Sequence, residues 1–354
     1  MIDLYDRILG SLAAGAIGDA MGAATEQRSF SEILKLFGRP VREFRKPPPD
    51  SPFSGGREAG QVTDDSGQML RMAQAIIESN GSLTVDGVVK QLLQWAEDPE
   101  VFRRFAGPTT RAAIEELRKG TDPRVVGRQG RLTSLGTSNG AAMRIAPAGL
   151  AHPGDLEGAV RDAVTMCLPT HATQLAFSGA CAVAAGIARA LAPDADVYAV
   201  VQAAFWGARR GEEIGRREGR VVAGPSVFRR MEIAVALATY GRELMETVQE
   251  IHAHVGSGLH IAEAVPAAVG IFVAAGGDPM EAIAGGVNIG DDTDTVAIIA
   301  GSMAGALRGF AAVPKDLYEQ LERANALHLT DVARGLAAVA QRGQTARVGT
   351  EERR

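Results

Sequence analysis

The chain has 354 residues, 46% of them apolar and 22% charged, with 37 basic against 42 acidic side chains and a formal net charge of −5. That is the composition of a globular chain with a large core. No long basic stripe points to nucleic acid, and no run of 18 apolar residues points to a membrane span.

The first segment, ILGSLAAGAIGDAMGAA (8–24), has the apolar look of a secretory leader, but its flank MIDLYDR is acidic and Asp19 interrupts it, so an internal helix is expected. Gly10, Ala14, Gly18 and Gly22 stand four apart. They lay a shallow groove of small residues along one helix face, where a second helix can approach closely. A helix this rich in glycine depends on tertiary packing. Residues 23–62 lose the period, and RKPPPDSPFSGGREAGQ within them reads as a long loop. Helical periodicity returns at Ser66. Further helices are predicted over 84–97, 109–119, 156–167, 172–192, 196–214, 228–252, 258–275, 279–285, 295–309 and 314–324. Residues 215–226 read as a charged, glycine-bearing hinge or lid. Residues 1–340 are expected to form one compact all-α domain, followed by a polar tail over 341–354. Cys167 and Cys181 form no CxxC pair and no zinc spacing; two buried thiols in a reducing cytoplasm are expected.

Two acidic junctions stand out. VTDDSGQML (62–70) puts Thr63, Asp64 and Asp65 just before one helical period, and GDDTDT (290–295) puts Asp292, Asp294 and Thr295 just before another. Capping accounts for one such side chain at each junction, since Asp, Ser and Thr suit helix N-termini. It does not need the rest. If the junctions meet, at least four carboxylates share a small volume, which raises their pKa values or breaks the fold. Hard dications relieve that repulsion, and four carboxylates with two hydroxyls suit a pair of Mg2+ or Mn2+ ions.

Five stretches occur in one order: GSLAAGAIGDAMG (10–22) with Glu26 after it, TDDS (63–66), SNGAAMR (138–144), THAT (170–173) and GDDTDT (290–295). In these the chain resembles the ADP-ribosylglycohydrolase family over about residues 5–310. The resemblance implies an all-α fold with a dinuclear Mg2+ or Mn2+ cleft, its ligands Thr63, Asp64, Asp65, Asp292, Asp294 and Thr295. It implies Glu26 and Asp65 as catalytic carboxylates, with Glu26 activating the attacking water. The substrate it implies is a ribose bonded at C1 to a leaving group, often as ADP-ribose on a protein side chain or small acceptor. The bond would break through an oxocarbenium-like state.

Ser138, Asn139 and Gly140 read as a tight loop opening a helix, whose N–H groups suit a phosphate or ribose hydroxyl. Arg144 is a candidate phosphate partner, and His171 a candidate hydrogen-bond donor to the substrate. Asp19 is read as a buried acceptor. His252 and His254, two apart, are read as structural or exposed. Arg209, Arg210, Arg216, Arg217 and Arg220 read as a solvated face, with a basic lid as the alternative. The second motif departs from the family's usual Gly-Gly-Asp-Thr-Asp-Thr, because Asp291 replaces its second glycine and so becomes a candidate substrate contact. No aromatic follows NGAAMR to stack an adenine. A hydrolase of a simple nucleoside or modified ribosyl metabolite is therefore the first alternative. A catalytically inactive ADP-ribose binder or structural protein is the second.

Overall fold

The computed structural model describes residues 2–351, with side chains through Thr345. Among the described residues there are eighteen α-helices and no sheet; three isolated β-bridges join Arg28 to Asp291, Ser138 to His260 and Thr173 to Arg220. The all-α expectation holds. No helix among the described residues is long and apolar enough to cross a membrane.

Six helices position the site: α1 (Leu4–Gly22), α2 (Asp64–Glu78), α3 (Gln174–Ala190), α4 (Val197–Glu218), α5 (Ile261–Ala274) and α6 (Thr293–Arg308). Helix α1 is buried on all sides from Arg7 to Gly22, as its mostly apolar sequence favours, with Arg7, Ser11 and Asp19 buried among the small and aliphatic side chains. Its small-residue stripe receives α6, whose own Gly301 and Gly305 face the backbone at Ala14 and Gly10. The Arg7 guanidinium caps two helix ends at once, donating to the carbonyls of Ala190 and Leu307, each at 2.7 Å. Cys167 and Cys181 are free and buried, as expected.

Several boundaries differ from the reading of the sequence. The stretch 228–252 is two helices, Val227–Ala238 and Leu244–Val255, separated where Gly241 takes a left-handed φ of 69°. The long loop of 23–62 contains a helix, Phe30–Phe37, opened by a reciprocal Ser29–Glu32 capping box and closed by left-handed Gly38. The hinge or lid expected over 215–226 is stitched down instead. Helix α4 continues to Glu218, and beyond it the Gln174 amide donates to the Val222 carbonyl (2.6 Å) and accepts from its N–H (2.9 Å). The helix Leu329–Glu351 runs through most of the stretch read as a polar tail, with Gln341–Thr345 exposed; residues 352–354 lie outside the described residues.

Candidate metal centre and cleft

The two acidic junctions meet. Thr295 Oγ1 on α6 donates to Asp65 Oδ2 on α2 at 2.8 Å, across 230 residues of sequence. The capping alternative applies to Thr63, whose Oγ1 accepts from the Asp65 N–H at 3.3 Å. It does not apply to Asp292, which stands at the N-cap of α6 yet makes no side-chain capping bond. Its carboxylate instead accepts a 2.6 Å bond from Asn139 Nδ2. Glu26, Asp292 and Asp294 each bring one oxygen within 4.8 Å of the other two.

Local structure aims these groups. Gly22, where α1 ends, has no side chain to hold off α6: a Cβ there would lie 2.5 Å from Asp294 Cα. Four residues later Glu26 is 8% exposed. Gln27 follows at φ 61° and turns the chain onto the second motif, its N–H donating to the Asp291 carbonyl at 2.7 Å. Asp291 answers at φ 62°, its N–H on the Arg28 carbonyl at 3.0 Å. The backbone at Asp291 is left-handed, a conformation that glycine adopts freely and that aspartate is among the few other residues to tolerate. Beneath the junctions Asp19 is the expected buried acceptor, taking the Thr63 hydroxyl (2.7 Å) and the N–H groups of Thr63 and Ser66 (3.0 Å each).

Burial and like charge act together on these acids. Burial, then the charges of Asp292, Asp64 and Asp19, holds Glu26 well above the usual carboxylate range. Asp65 is raised well above it by burial, then by Asp64, Asp19 and Asp292. Asp294 is raised likewise by burial, then by Glu26, Asp65 and Asp292. Asp64 keeps part of its surface open to the cleft, yet burial, Asp19 and Asp292 push it up to about 8. Among the described residues no lysine or arginine pairs with any of these acids. A packed set of anionic oxygens with no directly paired lysine or arginine, on which Arg144 acts only at a distance by lowering the Asp64 pKa, is the chemistry that hard divalent cations satisfy, so the donor set fits Mg2+ or Mn2+.

The acids floor a cleft of about 420 Å3, walled by Ser138, Asn139 and Gly140. Of the other residues singled out in the sequence, Thr63 lies below the floor, with its hydroxyl proton committed to Asp19. The Asn139 N–H is taken by the Leu259 carbonyl at 2.8 Å and does not face a ligand. Asp291 is half-buried beside Gly258 and Glu263, outside the cleft lining. Arg144 and His171 are 0% exposed. They stand behind the wall rather than in it, which corrects the expectation that they touch substrate. The 209–220 arginines are likewise engaged elsewhere: Arg209 lies 4.1 Å over the Phe228 ring, Arg210 pairs with Glu157 and Glu213, Arg216 with Glu212, and Arg220 donates to the Leu132 and Leu135 carbonyls. His252 bonds Ser257 at 2.8 Å and His254 is exposed.

The reading of the sequence missed the rim. Arg103, Arg104 and Phe105 line the mouth of the cleft together with Phe53. Arg103 pairs with Glu100, whereas the exposed Arg104 side chain has no hydrogen-bond or ion-pair partner among the described residues. The signal was present in FRRFAGP (102–108), two arginines between two phenylalanines ahead of a Gly-Pro break.

The family model for ADP-ribosylglycohydrolase matches residues 1–346. The chain is 29% identical over 339 residues to the uncharacterized protein YegU of Escherichia coli strain K12, covering 95% of this chain and 98% of that one. It is 26% identical over 346 residues to the ADP-ribosylhydrolase ARH3 of Bos taurus, covering 89% and 88%. Over 164 residues, 44% of this chain and 48% of the relative, it is 32% identical to the ADP-ribosyl-[dinitrogen reductase] glycohydrolase of Rhodospirillum rubrum. In fold it is similar to a solved ADP-ribosylglycohydrolase-related protein complex, with a TM-score of 0.61 at 24% identity over 96% of this chain and 98% of the other. With the acidic floor and the family match agreeing along the whole chain, this protein belongs to the ADP-ribosylglycohydrolase family of glycosidases.

Proposed function

We propose that the protein is a divalent-cation-dependent hydrolase that releases ADP-ribose from a protein side chain or a small acceptor by cleaving the bond at ribose C1. The observation that carries this reading is the division of the cleft into an acidic floor and a rim that bears exposed Arg104 together with Phe53 and Phe105, the latter with Arg57 over its ring. A ribosyl group alone needs only the floor. A diphosphate and an adenine give the rim something to bind, the first through the guanidinium and the second by stacking on an aromatic ring. The aromatic that the run after NGAAMR lacks is thus supplied from elsewhere in the chain.

Thr63, Asp64, Asp65, Asp292, Asp294 and Thr295 would hold two cations, with Glu26 beside them. Bound there, Mg2+ or Mn2+ supplies Lewis acidity and makes water a competent nucleophile near neutral pH. Glu26 sits among the ligands, where it can take the proton of a water attacking C1. Asp65 is oriented by the Thr295 hydroxyl, and its charge with that of Asp64 favours the positive charge developing at C1 and the ring oxygen. Asn139 fixes Asp292 from the cleft wall.

The test is turnover with Mg2+ or Mn2+ of ADP-ribosyl-arginine, an O-linked ADP-ribosyl serine peptide and a simple nucleoside, scored by release of ADP-ribose or ribose. Arg104→Ala is expected to raise KM on the ADP-ribosyl compounds and leave the nucleoside unaffected. A higher kcat/KM on the nucleoside, indifferent to Arg104, would replace this reading with the ADP-free one.

A further inference from the structure

Behind the cleft wall runs a buried hydrogen-bonded chain that the metal centre does not account for. Arg144 lies at its middle, 0% exposed, with Gln68 and His171 also 0% and Thr170 3% exposed. On one side Arg144 donates to Gln68 Oε1 at 2.6 Å, and Gln68 Nε2 reaches Asp64 Oδ2 at 2.9 Å. On the other, Arg144 donates to Thr170 Oγ1 at 2.6 Å. Thr170 Oγ1 lies 2.7 Å from His171 Nδ1, and His171 Nε2 lies 2.8 Å from Ser138 Oγ. Both ends, Asp64 and Ser138, line the cleft.

The proton positions follow from one fact: a guanidinium only donates. Gln68 must therefore turn its oxygen to Arg144 and its NH2 to Asp64, so that Asp64 is offered a donor and is held as an acceptor. Thr170 accepts from Arg144, and among the described residues the remaining acceptor within reach of its own proton is His171 Nδ1. Leaving that hydroxyl proton unpaired in the interior would cost more than placing it there. With Nδ1 accepting, the ring proton lies on Nε2 and donates to Ser138 Oγ. Ser138 is then left with its hydroxyl proton free to point into the cleft. Burial beside Arg144 lowers the pKa of His171, in keeping with the neutral ring this arrangement needs.

We propose that Arg144 is a positioning residue that sets the polarity of both cleft ends through Gln68 and through Thr170–His171. It holds Asp64 as an acceptor for cations and presents Ser138 as a hydrogen-bond donor to an oxygen of the ligand. The Asp64 and Ser138 ends rest on the function proposed above; the proton arrangement does not.

With 15N-labelled histidine, the His171 resonances, assigned by their loss in His171→Asn, should show a protonated Nε2 and a bare Nδ1. The other tautomer, or a doubly protonated ring, overturns the proposal whatever the protein hydrolyses. Thr170→Val breaks the second arm alone. It should weaken ADP-ribose binding roughly three- to tenfold and leave the affinity for Mn2+ alone within about twofold, with Thr170→Ser restoring the parent value. Gln68→Met should do the reverse, lowering Mn2+ affinity roughly tenfold while His171 keeps its tautomer. Adding Ser138→Ala to Thr170→Val should cost nothing further; an additive loss means that Ser138 does not depend on the chain, and the proposal fails. If Thr170→Val does not fold, the tautomer of the parent protein decides.

Discussion

Removing divalent cations should destabilise this protein, and increasingly so as the pH rises. In the metal-free state the acidic floor holds protons that the unfolded chain has already released. Asp64 is the measure: its ordinary value is 3.8 and its folded value about 8. A group whose folded pKa is raised binds more protons folded than unfolded between those values, so stability falls as pH climbs through that window. About four units of pKa correspond to a ceiling on the order of 5 kcal/mol from Asp64. For a chain of this length that is roughly 5–10 °C in Tm. Glu26, Asp65 and Asp294 shift in the same direction and steepen the slope. Thermal unfolding from pH 5 to 9 in EDTA should show Tm dropping across the window, and millimolar Mg2+ or Mn2+ should remove most of the drop at the alkaline end. A metal-free Tm that rises across the window, or curves that coincide with and without chelator, would refute the reasoning about the floor.

Gly22→Ala should cost about 1–3 kcal/mol by overpacking and weaken Mn2+ binding, because the new methyl meets the Asp294 backbone; unfolding and calorimetry together check this. Asp294→Asn should raise metal-free stability by about 1–3 kcal/mol, since it removes one of the crowded charges, while abolishing turnover; melts in EDTA and product release read the two effects. Asp291→Ala should cost about 1 kcal/mol where Asp291→Gly does not, because only the alanine is strained at φ 62°; denaturant unfolding separates them. Arg216→Ala should leave KM unchanged and stability within about 0.5 kcal/mol, its partner Glu212 being a surface ion pair.

What could be read in advance was local. The α1 stripe, the two acidic junctions and most helices follow from spacing within about a dozen residues, the range over which helical periodicity acts. The meeting of Asp65 with Thr295 is a matter of topology, and no local pattern encodes it. Arg144 and His171 were placed in the cleft because their motifs resemble the family's and their side chains suit a phosphate or ribose hydroxyl; their burial depends on Gln68, Thr170 and Ser138 arriving from separate segments. The helix at Phe30–Phe37 had a readable Ser29–Glu32 capping signature, outweighed by the proline and glycine around it. The break at Gly241 was hidden by apolar spacing that continues across it.

Helix α1 imposes an order on synthesis. Its groove is filled by α6, and Ser11 Oγ hydrogen-bonds the Ser302 carbonyl across 291 residues. At roughly 5–20 residues per second, a ribosome needs about 15–60 s to deliver that partner after α1 has been made. Throughout that interval the small-residue groove of α1 lacks the helix that fills it in the folded protein. Variants that slow late elongation should therefore reduce the yield of soluble protein more than its stability, and a holdase acting on the N-terminal segment should restore it.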